Sequence, residues 1–256
     1  MDLVDGAALA VAGLAAGTVN AVAGGGSLIT FPTLVAVGLP PVPANVTNSL
    51  AVTPGYLASV FGSRADLAAL AARRNLYAFV PTAVVGSALG CLLLLVTPAR
   101  AFDLIVPFLV LGATAVLAFQ QRIRQVVGHP HELGPRRQTL ALHGIIALGA
   151  AYGGYFGAAL GIMLVAGLGL VLAEPIARVN ALKNAVSAVV AVVTVVAYGI
   201  FGPVNWAAVA VVAPASMIGG YVGARLSRRL PAPVLRTAIV LVGTVVGVIL
   251  LVRAVT

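Results

Sequence analysis

The sequence predicts an all-α integral membrane protein of about eight transmembrane helices, arranged as two repeats of four apolar stretches. Three observations carry that expectation. The 256 residues are 61% hydrophobic and 8% charged, with a mean hydropathy of +1.11, far from the roughly 25% charged of soluble domains. Apolar stretches run at about 6–37, 42–62, 76–97, 101–119, 140–172, 179–201, 204–223 and 234–252, and crossing ~30 Å of hydrocarbon takes roughly 20 residues at 1.5 Å each. Landmarks of the first half also return in order. Gly13, Gly17, Gly25 and Asn48 recur 136 residues later as Gly149, Gly153, Gly161 and Asn184, and Pro81, Gly86, Gly90 and Pro98 recur 133 residues later as Pro214, Gly219, Gly223 and Pro231.

The first stretch is not a secretory signal, because Asp2 and Asp5 stand where a signal carries Lys or Arg, and the apolar run continues past any cleavage site. Its 32 residues would reach ~48 Å as one helix, so it must tilt steeply or break. Gly24, Gly25 and Gly26, followed by Pro32, mark the break, since each glycine lowers helix stability by about 1 kcal/mol relative to alanine. Backbone freed there has to line a protein-enclosed or watery cavity, because lipid cannot satisfy it.

The second stretch carries the polar cluster PANVTNSLAVTP, with Asn45, Thr47 and Asn48 inside apolar sequence. Such residues are costly at membrane depth and tend to face a bundle interior or an aqueous path, or to bond between helices. Cys91, the only cysteine, lies in the third stretch, so no internal disulfide or cysteine metal cluster arises. After the fourth stretch the chain reaches its most polar part, residues 120–139. The organisation expected is a first repeat over 1–127, a polar linker over 128–139 and a second repeat over 140–256. His129 and His131 fall in the linker without a third ligand nearby, which speaks for a solvated loop and against a metal site.

In the second half, Gly149, Gly153, Gly157 and Gly161 have a four-residue spacing that fits close helix packing as well as a broken or re-entrant segment near Gly161. The polar cluster returns as RVNALKNAVSA, with Asn180, Lys183 and Asn184. Lys183 is the only lysine among fourteen arginines and occupies the position that Thr47 holds in the first half. A compact ammonium flanked by amide and hydroxyl donors suits a small anion, and helix N-termini at the breaks would add N–H donors. Snorkelling to an interface is the competing role for Lys183.

The formal charge of +9 sits in short segments between apolar runs, as at Arg73 and Arg74, Arg136 and Arg137, and Arg228 and Arg229. Cytoplasmic loops and anionic headgroups explain that distribution, and nucleic acid does not. If eight helices simply alternate, the positive residues divide eight against seven, which leaves the orientation open. Arg64, Arg73 and Arg74 nevertheless precede the Pro81 helix, whereas Arg225, Arg228 and Arg229 follow its Pro214 counterpart, as in an inverted repeat. Inversion needs an odd number of crossings per copy, so one stretch in each would be re-entrant or broken.

The pattern G-x-x-x-G…GGG-S-L-I-T-F-P-T-L at 13–34, followed by G-L-P-P-x-x-A-N-x-T-N-S at 38–49 and echoed in the second half, resembles the TauE/SafE sulfite exporter family. The resemblance covers nearly the whole chain. It implies a multi-pass transporter of the bacterial inner membrane, with duplicated four-helix units, that moves sulfite, sulfoacetate or other organosulfur anions. The family's glycine-rich stretch falls on Gly24, Gly25, Gly26 and Ser27, and its Thr-Asn element on Thr47 and Asn48. The second half departs, with Leu160-Gly161-Ile162 in place of three glycines and Lys183 in place of threonine.

The expected function is export of a small sulfur-containing anion by alternating access. Its site would lie between the repeats, lined by Gly24, Gly25, Gly26, Ser27, Asn45, Thr47, Asn48, Asn180, Lys183 and Asn184. No cofactor or metal is expected; the partners are the anion and the bilayer. All six acids sit at ends or loops, which leaves no carboxylate proton relay in mid-span. None is needed for export, because an inside-negative potential drives anions outward by ~2.3 kcal/mol per charge per 100 mV. Two other classes compete: a non-transporting membrane assembly protein, and an intramembrane enzyme. The enzyme would need a nucleophile and base at depth; Ser27, Ser49, Ser59 and Ser187 are present, but His143, near a helix end, gives no triad-like pairing.

Overall fold

The computed structural model describes residues 2–22, 25–119, 122, 125, 134–226 and 232–255. Among them the chain is helical throughout, with turns but no strands. This is the outcome that burying backbone polar groups in lipid dictates, since only a helix satisfies them within one segment.

The first apolar stretch breaks as expected. Helix α1 (Leu3–Val22) stops at the glycines, and α2 (Ser27–Ala36) starts after a turn in which Gly25 takes φ 92°. The chain doubles back there: Gly26 lies against the Ala16 carbonyl, and its N–H donates to Asn20 Oδ1 at 2.8 Å. Helix α3 (Pro41–Gly62) follows, with Pro41 at its first turn. A short α4 (Arg64–Ala71) and a 3-10 turn (Leu76–Ala78) lead to α5 (Phe79–Val96) and α6 (Ala99–Ala118).

In the second half, α7 (Pro135–Tyr155) and α8 (Leu160–Val171) form a matching hairpin. Gly153 packs on Leu160, Gly149 on Leu164 and Gly167 on Ile145, a descending register that means the helices run antiparallel. Gln138 Nε2 donates to Val171 O at 2.8 Å, which brings the end of α8 level with the start of α7. The break lies at 156–159, just before Gly161, because Gly157 (φ 75°) and Ala159 (φ 58°) are both left-handed. Helix α7 also begins earlier than expected. Residues 135–139, assigned to the polar linker, form its first turn, with Pro135 at a position that favours helix starts. The linker histidines His129 and His131 fall outside the described residues. The chain ends with α9 (Ile176–Phe201), α10 (Trp206–Leu226) and α11 (Ala232–Val255).

Four helical segments are long and apolar enough to cross a membrane, Leu3–Asn20, Leu76–Val96, Ala99–Ala118 and Ile176–Phe201, and the shorter apolar helices include α2 and α8. Helix α3 has the length, but its inward face carries Asn45, Thr47, Asn48 and Thr53, all buried. Large apolar side chains such as Leu89, Leu92, Leu93, Leu104 and Phe108 point outward instead. A surface that apolar is what hydrocarbon solvates.

The two halves clasp each other. Helix α1 packs along α10, α5 along α7, α3 along α9, and α6 along α11. Between α1 and α10, Gly13 faces Ala215, and Gly17 touches the Ser216 backbone and Gly220. Between α5 and α7, Gly86 faces Ala147 and Ala150, and Gly90 faces Ala151 and Tyr155. Both pairs therefore run parallel. In lipid no hydrophobic force drives helices together, so this close backbone approach, with its dispersion contacts, holds the halves. A Cβ at Gly17 would collide with the Ser216 carbonyl, whereas one at Gly112 would meet nothing within 4 Å. Gly17→Val should lower the melting temperature of the purified protein by about 5 °C or more, and Gly112→Ala should leave it within about a degree, read by thermal denaturation in detergent.

Candidate functional site

Where α3 and α9 face each other, their polar residues repeat on one helical face. On α3 these are Asn48, Tyr56, Ser59 and Ser63; on α9 they are Lys183, Asn184, Ser187 and Thr194. Spacings of three, four and seven or eight residues keep each set on one side of its helix. Together they border two adjoining cavities.

The larger is a vestibule of about 760 Å³, lined by Gly25, Tyr56, Ser59, Gly161, Lys183 and Asn184 among others. The smaller is an inner pocket of about 20 Å³, lined by Ser27, Asn48, Ser187, Thr194 and Leu160. Tyr56 borders both. It also lies in hydrogen-bonding reach of Ser27, the first residue of α2.

Lys183 is half-buried, and its stem passes over the first turn of α8. A Cβ on Gly161 would stand 3.2 Å from Lys183 Cδ and 3.8 Å from Nζ, so glycine makes room for the side chain there. The ammonium therefore sits beside a helix N-terminus, whose dipole carries roughly half a positive charge. Two positive ends at one cavity repel each other until an anion joins them. Asn184 ties α9 to α3 at the same level, donating to Ser63 Oγ at 3.1 Å and to Ser59 O at 3.3 Å.

The residues singled out from sequence divide between these cavities and the scaffold. Gly25, Lys183 and Asn184 line the vestibule, and Ser27 and Asn48 line the inner pocket. Gly24 lies outside the described residues. Gly26 is buried against α1, with its N–H held by Asn20. Asn45 and Thr47 brace the halves: Asn45 Nδ2 donates to Tyr155 O at 2.8 Å, and Thr47 Oγ1 accepts from Asn205 N–H at 3.0 Å. Asn180 is half-buried on α9 and borders neither cavity. Tyr56 and Thr194 were not singled out, and Ser187 was considered only as a nucleophile. The periodic face that joins them to Asn48 and Lys183 was the available signal.

Side chains from elsewhere satisfy the second break. Tyr152 donates to Ala158 O at 2.6 Å, Tyr198 to Gly154 O, and Asn45 to Tyr155 O. No carboxylate lines either cavity; Glu174 pairs with Arg178 at 2.8 Å near the start of α9. His143 bonds Thr82 Oγ1 at 2.7 Å and packs on Phe79, between α5 and α7. Among the described residues no group of three or more His, Cys, Asp or Glu side chains could hold a metal. Thr47→Val would orphan the Asn205 N–H, at about 1–3 kcal/mol. It should lower the melting temperature, and Thr47→Ser should restore it.

Comparison with known proteins agrees with a membrane carrier. The sequence model described as Sulfite exporter TauE/SafE matches residues 9–250. The chain is similar to a probable membrane transporter protein, ORF9, of Sinorhizobium sp, at 27% identity over 95% of this chain and 91% of that protein. It is also similar to the probable membrane transporter protein YfcA of Escherichia coli K12, at 27% over 92% and 86%, and to one of Haemophilus influenzae, at 35% over 43% of each. No solved structure matches it. With nearly its full length matched, the chain belongs to the TauE/SafE sulfite exporter family.

Proposed function

We propose that the protein exports small sulfur-containing anions, such as sulfite or organosulfonates, across the bacterial inner membrane by alternating access between two inverted repeats. The observation that carries the anion reading is the Lys183 ammonium, set over Gly161 at the N-terminus of α8 and bordering the vestibule. A desolvated cation beside a positive dipole end favours a small, hard anion over a neutral or cationic solute. The remaining sequence candidates that border the cavities, Gly25, Ser27, Asn48 and Asn184, supply amide, hydroxyl and backbone donors, and Asn45, Thr47 and Asn180 frame them.

The packing supports inversion. Each half has a crossing helix, a short return helix and three further crossings, which makes five passes and so an odd number. Followed through the parallel and antiparallel pairs, the helix ends fall into two sets. Arg64, Arg73, Arg74, Arg122, Arg136, Arg137, Arg178, Arg225 and Arg236 stand in one set, and Arg100 and Arg253 in the other. By the positive-inside rule the first set is cytoplasmic. The eight-against-seven division from simple alternation disappears because the short return helix reverses every later element of its half.

In that orientation the vestibule, lined by the later turns of α1, α3 and α10 and an early turn of α9, lies toward the cytoplasm. An anion entering there runs outward down an inside-negative potential, about 2.3 kcal/mol per charge per 100 mV, without a cotransported ion. Lys183→Gln should cut saturable sulfite efflux from proteoliposomes at least tenfold; undiminished flux sinks the site. In a Cys91→Ala background, Arg137→Cys should react with a membrane-impermeant maleimide only in inverted vesicles and Arg100→Cys only in intact spheroplasts. The opposite pattern reverses the orientation.

A further inference from the structure

The inner pocket differs in kind from the vestibule. Ser27 opens α2 and Leu160 opens α8, and both residues line it. Helices of 10 and 12 residues thus turn two positive dipole ends on one small space. A second observation is independent of the backbone. Ser187 lines the same pocket, is 1% exposed, and its hydroxyl has no hydrogen-bond partner. An unpaired buried hydroxyl costs about 1–3 kcal/mol, so a polar group retained there needs a reason.

The neighbouring side chains extend the donor set. The Asn48 Oδ1 accepts from the Thr30 hydroxyl, which leaves its amide N–H groups as the polar atoms for the pocket it lines. Hydroxyls and amides also suit a sodium ion, but two helix N-termini oppose a cation. Size narrows the ligand further. About 20 Å³ accommodates one water-sized group, against about 760 Å³ in the vestibule. Tyr56, bordering both spaces, stands at the passage between them.

We propose that the inner pocket is a second, dehydrated anion station beyond the vestibule. It takes a compact inorganic oxyanion, whose oxygens accept from Ser187 and Asn48 between the two helix N-termini. A carbon tail has no room beside Tyr56, so the station discriminates against alkylsulfonates, which stay in the vestibule with Lys183. The assignment of sulfur anions as the cargo rests on the transport reading; the anion station itself does not.

The test is isothermal titration of the full-length protein in nanodiscs with sodium sulfite, sulfate and ethanesulfonate, for wild type and Ser187→Ala. Because the Ser187 hydroxyl has no partner, the variant should melt at or above the wild-type temperature, which separates binding from folding. The expected result is about tenfold weaker binding of a compact oxyanion by Ser187→Ala, with ethanesulfonate binding unchanged. Equal affinity of both proteins for the compact oxyanions overturns the station, as does their failure to bind the wild type. A sodium-binding heat that Ser187→Ala abolishes, measured with sodium chloride against choline chloride, overturns it too. Sulfite efflux that persists while Ser187→Ala binds normally removes the station and keeps the transporter. Sulfate binding with the Ser187→Ala loss, but no sulfite efflux, keeps the station and removes the cargo.

Discussion

Hydrocarbon offers no hydrogen bonds, and the two helix breaks of this protein exist only because other protein groups meet the amides and carbonyls they expose. Around the first break Asn20 holds Gly26. Around the second, Tyr152, Tyr198 and Asn45 bond Ala158, Gly154 and Tyr155. Tyr198 comes from α9 and Asn45 from the opposite half, so a hairpin cannot form its loop independently of the bundle. The same enclosure brings the α2 and α8 N-termini to the polar faces of α3 and α9. A constraint on backbone chemistry thereby creates the only kind of place in the membrane where a charged solute is tolerated.

Much of this was legible in the sequence. Composition gave the membrane, the triple glycine gave the first break, and the recurrence of Gly13, Gly17, Gly25 and Asn48 pointed to the related second half. What hydropathy cannot report is direction. A run such as 140–172 is equally apolar whether it crosses once at a tilt or turns back at Gly157, and that difference decides the side on which every later arginine lies. The site divides in the same way. Asn45 and Thr47 resemble ligands because a buried amide or hydroxyl has the same composition whether its partner is a solute or the backbone of Tyr155 or Asn205. Tyr56 and Thr194 are unremarkable one at a time, and their meaning depends on which faces of α3 and α9 meet.

Positions separated by 136 residues also show how related segments divide tasks. Thr47 accepts a hydrogen bond at the start of α10, while Lys183 reaches across α8 to the vestibule. Gly25 supplies a left-handed turn, while Gly161 stays helical and clears a path for the lysine stem. Small size is what both glycines offer, used once for conformation and once for space.

The glycine seam between α1 and α10 has a consequence for synthesis. Thr18 donates to Gly219 O, 201 residues further along the chain. At roughly 5–20 residues per second, α1 waits on the order of 10–40 s in the bilayer before its partner is made. Through that interval Gly13 and Gly17 present a bare, close-packing face to any passing helix, so the nascent chain needs shelter from the insertion machinery or from its own α2 and α3 until α10 arrives.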